Sequence, residues 1–427
     1  MVTTHDMHRS SPPRLAVIGG GPVGLALALL ARARCPQWSV SVFDAREGAK
    51  DVSGDPRTLA LSLGSVQVLE RLGAWPAAMA APILQVHVSQ APPTLQTPLG
   101  EPEVRIRAAD LGVPMLGAVL SYGALVAPLQ AAFMAACAEA PSRFGPGLHA
   151  RFGTAVEAVE THPGGRGASV TPSGGAPEDF DLAVIAEGGV FAEQARKAVA
   201  HDYRQTAWVG TLTLEGAAPG LAVERFTRDG PLALLPLPPL PPLPPSAAAS
   251  REARTTRSAL VWCVGSGDDP VAPLSDAQRL AVLSHRLPEV AGRAVGISPL
   301  KSFALGLNAE ASLVEGRVVR IGNAAQTLHP VAGQGLNLGV RDAFVLVDRL
   351  ARHVHDSDGG ATRALRGLAF RRAPDRWSII GATDFLARSF TWHAPGLAAA
   401  RGLGLAALEA VPPLKRALAR QMMYGWR

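Results

Sequence analysis

Cysteine is scarce in this chain and shows no pattern. Cys35, Cys137 and Cys263 lie far apart and none belongs to a CxxC spacing. That excludes a disulfide-stapled scaffold and a cysteine zinc site, and it leaves a reducing compartment as the default. Charge is sparse too, at 18% of residues against 48% hydrophobic ones, which places the chain at the apolar end of globular proteins. The formal net charge of +6 comes from scattered arginine. No Lys/Arg run is interleaved with aromatic residues, so no nucleic-acid partner is expected. A long hydrophobic run is also missing. Leu15 to Ala31 carries no charge, but it holds three consecutive glycines and a proline and is short for a span of ~20 residues. Met1 to Pro13 is polar and lacks the apolar core of a signal peptide. No Ser/His/Asp set, paired-carboxylate signal or metal cluster stands out, so no catalytic side chain and no metal are assigned. The 427 residues are too many for one ordinary domain and enough for two sharing a large core.

What the chain does have is glycine in two organised places. Arg14 to Ile18 (RLAVI) reads as a buried parallel strand, followed by Gly19-Gly20-Gly21-Pro22-Val23-Gly24 and an apolar helix from Leu25 to Arg34. This is G-x-G-x-x-G in its strand–turn–helix setting. Gly19 suits the tight turn, Gly21 the close approach of a diphosphate, and Gly24 the packing of helix on strand. A second strand, Ser39 to Phe43, ends in Asp44, about 20 residues after Gly24, where a carboxylate accepts from ribose hydroxyls. The pattern predicts dinucleotide binding without separating NAD from FAD. Gly54-Asp55-Pro56-Arg57 then leads into Thr58–Ser65 and a helix from Val66 to Leu72. An arginine there can face a diphosphate or a flavin edge, or lie on the surface.

The second place is Arg320 to Asp342, RIGNAAQTLHPVAGQGLNLGVRD. A buried strand (Val318, Val319, Ile321) runs into Gly322-Asn323, then the loop His329–Gly335, then a helix entered at Leu336-Asn337. A strand, a glycine-rich loop and a helix N-terminus make a site for an anionic or electron-rich ligand. His329 before Pro330 suits a positioning role in the loop better than that of a base.

Elsewhere, short strands are predicted over Ile83–Ser89 and Val104–Arg107, a helix over Tyr122–Glu139, a hairpin over 152–160 and 168–171, and a buried strand over Phe180–Ile185. Alternation over Ala207–Leu214, Ala222–Phe226, Pro231–Leu235 and Ser258–Val264 predicts an antiparallel sheet. Its candidate pocket walls are Trp208, Phe226, Leu234, Trp262 and Phe303. Pro236–Ser250 is a Pro-rich insertion between two of these strands. Helices are expected over Asp276–Leu287 and 362–390. The tail, 391–427, carries Arg401, Lys415, Arg416, Arg420 and Arg427 against Glu409, with an apolar stripe of Leu414, Ala417, Leu418 and Met422. It reads either as a helix docked on the chain's own domains or as a membrane-surface or partner-binding helix.

GGGPVG, DPRTLALSLGS and GNAAQTLHPVAGQGLNLGVRD together resemble the class A flavoprotein monooxygenases. QTAWVGTL, AVERFTRDGPLALLPL, ATDFLARSF and RGLGLAALEAVPPLKRALA are similar, within that class, to the FAD-dependent hydroxylases of ubiquinone biosynthesis. The resemblance spans nearly the whole chain. It implies an α/β fold like that of para-hydroxybenzoate hydroxylase: a Rossmann-type FAD-binding domain (1–80, 109–189 and 300–390) interrupted by an α+β substrate domain with an antiparallel sheet (81–108 and 190–299), plus C-terminal helices (391–427). It implies that Gly19, Gly21, Gly24 and Asp44 hold the ADP half of FAD and that Arg57 lies near the flavin. Gly322 and Asn323 fall at the ribityl chain. Pro330, Gly333, Gln334, Gly335, Leu336 and Asn337 fall where loop and helix meet the isoalloxazine. Three residues depart from the family pattern: Asn323 for an aspartate, Glu187 for the aspartate of an Asp-Gly pair, and Gln326 for a histidine.

The activity implied is hydroxylation of the aromatic ring of a prenylated phenol or quinol with O2, through a C4a-hydroperoxyflavin, with NAD(P)H as electron donor. The resemblance also implies other subunits of a ubiquinone-biosynthesis complex as partners. The expected location is cytoplasmic, peripheral at the inner face of the membrane through the tail. The alternatives are a flavin hydroxylase of another small aromatic and a catalytically degenerate scaffold subunit of such a complex.

Overall fold

Strand Arg14–Ile18 lies inside a six-stranded sheet whose order is Val314–Glu315, Val318–Arg320, Leu182–Ile185, Arg14–Ile18, Ser39–Asp44 and Gly147–Phe152. All neighbours are parallel except the edge pair Val314–Glu315 and Val318–Arg320. Its strands read as continuous apolar runs because both faces are covered. Leu15, Val17, Val40, Val42, Leu182 and Val184 share a core with residues of helices Pro22–Arg34, Tyr122–Ala138 and Gln334–Arg352. Ala16, Ile18, Phe43, Ala183 and Ile185 face the other way, onto Ala168, Val170 and Phe180 of a small antiparallel sheet. Helix Pro22–Arg34 begins with proline at its first position and is buried from Val23 to Ala31, which explains its lack of charge before Arg32.

The computed structural model describes residues 12–92, 94, 101–139, 145–188, 198–239, 255–353, 360–389 and 396–426. The expectations for Met1–Pro13 up to residue 11, for residues 240–250 of the Pro-rich insertion and for 391–395 of the tail lie outside the described residues.

The second large sheet is built on the 17-residue strand Val199–Glu215. Thr255–Gly265 pairs along one side of it, and Lys301–Ala309 and Arg293–Ile297 along the other. Gly230–Pro236, Leu221–Thr227, Gln85–Gln90 and Glu103–Arg107 continue the sheet. The Pro-rich insertion therefore joins two hydrogen-bonded neighbours, Gly230–Pro236 and Thr255–Gly265. One face is closed by helix Asp276–Arg286, whose start is fixed by a Ser275–Gln278 capping box. Leu212, Leu232, Leu234, Leu260 and Trp262 pack beneath it around Leu283.

Two boundaries move. Ala81–Ile83 pairs with Gly117–Ser121, which also pairs with Thr58–Ser62, so it belongs with the nucleotide-binding part and not with the residues after 80. Lys301–Ala309 belongs to the large sheet, so that sheet extends past residue 299. A chain crossing between two sheets leaves no break in hydrophobic alternation, so the pattern alone misplaces the switch.

The tail docks on the chain itself. Helices Leu397–Ala410 and Pro412–Tyr424 meet at a bend of 95°. Glu409 accepts from the Arg105 N–H at 2.9 Å and pairs with Lys415 at 2.8 Å. Met423 is buried with Leu63, Val119 and Ala222. The outer side of the tail exposes Leu403, Val411 and Leu414. Among the described residues no single helix is long and apolar enough to cross a membrane.

Candidate functional site

The N-terminal turn has the shape its glycines were expected to give. Gly19 has φ +108°, and an added Cβ would lie 2.9 Å from the Glu187 nitrogen. A Cβ on Gly24 would lie 1.9 Å from the Gly19 carbonyl oxygen, so helix and strand touch there. Gly21 is different. Its φ of −77° suits any residue, and the nearest atom to an added Cβ is the Tyr122 hydroxyl at 3.8 Å. The turn is thus tight on its inner side and open at Gly21, at the N-terminus of helix Pro22–Arg34, as a diphosphate cradle must be.

Asp44 closes one end of this cradle. Its Oδ2 accepts from Gly20 N–H at 2.6 Å and its Oδ1 from Arg46 N–H at 2.8 Å, which leaves acceptor capacity for a ribose hydroxyl. Arg46, not expected from sequence, donates to the Gly20 carbonyl at 3.0 Å and lies 3.9 Å from Asp44. Glu187 belongs to the same mouth: burial first, and the Asp44 charge second, push its carboxyl above the usual range. Arg57 comes to the same turn through Tyr122. Its side chain is 67% exposed, makes a bidentate pair with Asp55 at 2.8–3.0 Å, and lies over the Tyr122 ring at 4.1 Å. The Tyr122 hydroxyl is the group nearest the open side of Gly21, so Arg57 and the cradle share one mouth.

The second glycine stretch packs onto the first. A Cβ on Gly339 would lie 2.7 Å from Val23 and 2.9 Å from Gly322, so helix Gln334–Arg352 meets the fingerprint helix and the Gly322-Asn323 turn at a single point. Asn323 is exposed beside Gly188, whose added Cβ would lie 3.0 Å from the Asn323 Cβ. The loop after Pro330 enters its helix through Gly333 in the left-handed conformation, φ +57°. Gly335 faces open space and Leu336 packs against the main core. Gln334 is buried at the first turn, with Oε1 3.5 Å from Arg341 Nη2.

Asn337 differs from expectation. Its carboxamide oxygen accepts from Ser62 N–H at 2.8 Å and from the Ser65 hydroxyl at 2.7 Å. Its amino group donates to the carbonyls of Ala60 at 3.1 Å and Gly333 at 3.0 Å. These bonds use the full capacity of the amide. The side chain therefore bolts the loop to segment 58–65 and leaves nothing for a ligand.

His329 is likewise a positioning residue. Its Nδ1 accepts from Val331 N–H at 3.3 Å, so the proton is on Nε2, which donates to Gln205 Oε1 at 2.9 Å. The ring meets Tyr203 edge-on at 5.1 Å. Burial pushes its pKa down to about 4. Gln326 accepts from Arg376 at 2.6 Å, and Arg376 also donates to the Glu310 carbonyl at 2.5 Å. Arg372 pairs with Asp342 at 2.7 Å and with Asp375 at 2.6 Å, all three buried. Nothing in the sequence pattern marked these arginines as interior, because charges at helical spacing ordinarily face solvent.

Between the loop and the large sheet lies a small cleft of about 10 Å³, lined by Glu224, Pro231, Ala233, Val261, Cys263, Pro330 and Val331. That is room for about one water molecule. Burial, with the Glu224 charge second, keeps the Cys263 thiol protonated. Phe226 packs against Val331 on this side of the sheet, and Phe303 shares the side through its pairing with Ala207 but is mostly exposed. Leu234, Trp262 and Trp208 lie on the opposite side with the helix Asp276–Arg286 cluster. They are core and not cleft walls.

An open glycine turn at a helix N-terminus, a carboxylate at the end of the next strand and a second glycine loop packed on the same helix are the arrangement of a Rossmann-type dinucleotide fold. The chain belongs to the FAD binding domain family, whose model matches residues 14–364. Among curated relatives, the ubiquinone hydroxylase UbiL of Rhodospirillum rubrum is 36% identical over 223 residues, 52% of this chain and 48% of that protein. The chain thus spans about half the length of that relative. The 3-demethoxyubiquinol 3-hydroxylase of Escherichia coli is 28% identical over 422 residues, 95% of this chain and 97% of that protein. Among solved structures, Klebsiella pneumoniae HpxO complexed with FAD and uric acid aligns with a TM-score of 0.65 at 16% identity, covering 97% of each chain, which shows the shared fold.

Proposed function

We propose that this chain is an FAD-dependent monooxygenase that hydroxylates the aromatic ring of a prenylated phenol or quinol precursor of ubiquinone. The observation that carries the reading is the tight Gly19–Gly24 turn, open at Gly21, with the second glycine loop packed on its helix through Gly339, in a chain of an FAD-binding family. The similarity to the E. coli hydroxylase over nearly the whole chain supports the substrate class.

When bound, FAD supplies the activation of O2 and the transfer of one oxygen atom to an electron-rich ring. Gly19, Gly21 and Gly24 cradle its diphosphate, with Arg57 beside them. Asp44 accepts from the ribose. Gly322 and Asn323 serve the ribityl chain, and the uncharged Asn323 still offers an acceptor oxygen. Pro330, Gly333, Gln334, Gly335 and Leu336 form the wall along the flavin ring, held in place by Asn337. Pro330, Val331, Ala233 and Val261 would give the reacting centre an apolar side, and Phe226 backs that side through Val331. NAD(P)H is the proposed electron donor.

A prenylated substrate resides in the membrane. We place peripheral contact on the tail, where Leu403, Val411 and Leu414 are exposed with Arg416 and Arg420. Other subunits of a ubiquinone-biosynthesis complex are the proposed protein partners.

Purified protein is expected to be yellow with flavin absorption bands. A deletion strain is expected to accumulate a prenylated phenol lacking one ring oxygen. Unchanged ubiquinone would sink the proposal. Colourless protein that takes up no added FAD would favour a scaffold subunit.

A further inference from the structure

The helix that follows the flavin loop, Gln334–Arg352, is held from two directions by the segment 412–426. On one side the buried Arg341 donates from Nη2 to the Met422 carbonyl at 2.7 Å, and the same nitrogen lies 3.5 Å from Gln334 Oε1. Its Nη1 lies 3.5 Å from Asp375 Oδ2, and Asp375 Oδ1 accepts from Trp426 N–H at 3.1 Å. Gly425, at φ +74°, passes so close that an added Cβ would lie 2.9 Å from Asp375 and 3.1 Å from Arg341 Cδ. On the other side a Cβ on Gly64 would lie 2.7 Å from the Met423 carbonyl. Gly64 belongs to helix Leu63–Arg71, next to Ser62 and Ser65, the two residues that donate to Asn337.

Undocking this segment would strip Arg341 of a carbonyl and Asp375 of an N–H in a buried setting, where unmet charge is costly. Both groups would have to turn toward new partners. In turning, Arg341 would also give up its contact with Gln334, the first residue after Gly333. Loss of Met423 would also loosen the helix that anchors Asn337. Both ends of the loop's support therefore depend on the same stretch of chain.

We propose that Arg341 is a positioning residue that couples the C-terminal segment to the flavin loop, so that FAD binding and docking of residues 412–426 stabilise each other. This rests on Pro330–Leu336 being the FAD loop. Coupling of this kind is reciprocal: the factor by which release of the segment weakens FAD is the factor by which FAD holds the segment down.

The test uses the full chain. Arg416 and Arg420 are exposed on helix Pro412–Tyr424, and Arg166 is exposed in a distant turn. Tryptic cleavage after each is followed by mass spectrometry with and without saturating FAD. FAD is expected to slow cleavage after Arg416 and Arg420 at least fivefold and to leave Arg166 unchanged. No slowing, or equal slowing at all three sites, overturns the proposal. As a second measurement, Gly425→Val is expected to free the segment and raise the FAD Kd, read by flavin fluorescence, at least fivefold. Arg341→Lys, which keeps the charge but loses the fork, is expected to fall between. Wild-type FAD affinity in a variant whose segment is cleaved rapidly also overturns it. Failure of the wild-type chain to take up FAD at all is visible before protease is added, and it strikes the cofactor reading itself.

Discussion

The Ser65 hydroxyl donates to the Asn337 carboxamide oxygen at 2.7 Å, across a sequence separation of 272 residues. Both side chains are buried. The bond ties the segment after Arg57 to helix Gln334–Arg352, two stretches far apart in the chain.

Replacing Asn337 with alanine orphans Ser62 N–H and the Ala60 carbonyl in the interior, at about 1–3 kcal/mol for each group left unmet. Asn337→Ala is expected to lower unfolding free energy by roughly 2–5 kcal/mol and to weaken FAD at least tenfold. Asn337→Asp keeps the acceptor but loses both donors and is expected to fall between. Urea unfolding of the apoprotein and FAD titration check the order. An alanine variant of wild-type stability would refute the bolt.

Gly24→Ala and Gly21→Ala should part company. The first places a methyl 1.9 Å from the Gly19 oxygen and forces the helix off the strand. It is expected to cost several kcal/mol, beyond the ~1–3 typical of overpacking. The second adds a methyl where the nearest atom is 3.8 Å away. It is expected to leave apoprotein stability within about 0.5 kcal/mol and to weaken FAD at least tenfold by filling diphosphate space. Equal effects on folding would deny that Gly21 lines the cofactor.

Arg57 tests the mouth of the cradle. Its exposed pair with Asp55 carries little stability. Arg57→Ala is expected to unfold like wild type and to raise the FAD Kd by about tenfold, with a smaller gap at high salt. Titration at two ionic strengths measures this. An unchanged Kd would make Arg57 a surface arginine.

His329 sets a pH dependence. Its pKa is pushed down to about 4 in the folded chain, against about 6.5 when unfolded. Below 6.5 the unfolded state takes up the proton first, so folding loses stability as pH falls from 6.5 towards 4. The loss is on the order of 3 kcal/mol and is fully recovered above 6.5. His329→Gln is expected to be less stable at pH 7 and to show a flatter decline between pH 7 and 5. Parallel declines in the two proteins would refute the assignment.

The nucleotide-binding half was legible in the sequence because turn, strand and helix each impose a residue type at a set spacing. Gly19, Gly24 and Asp44 are where backbone clash or hydrogen bonding demands them. The large sheet was legible as strands but not as faces. Trp208 and Phe226 both belong to alternating strands, and only the topology decides that one lies under helix Asp276–Arg286 and the other against Val331. The role of Asn337 was hidden because its partners lie far away in sequence. The interior arginines were hidden because Arg372 and Arg376 have the composition of a solvated helix while Asp342 and Gln326 wait on other elements.

Strand Arg14–Ile18 is flanked by Ser39–Asp44 and Leu182–Ile185, and Leu182–Ile185 in turn needs Val318–Arg320. During synthesis the first strand therefore waits for about 300 further residues before its sheet can close, roughly 15–60 s at the usual pace of a ribosome. For that interval LAVI and its neighbouring apolar helix have no lasting cover. The chain's vulnerability in the cell thus falls early in its making, and a chaperone that shields the nascent N-terminal third is expected to govern its yield.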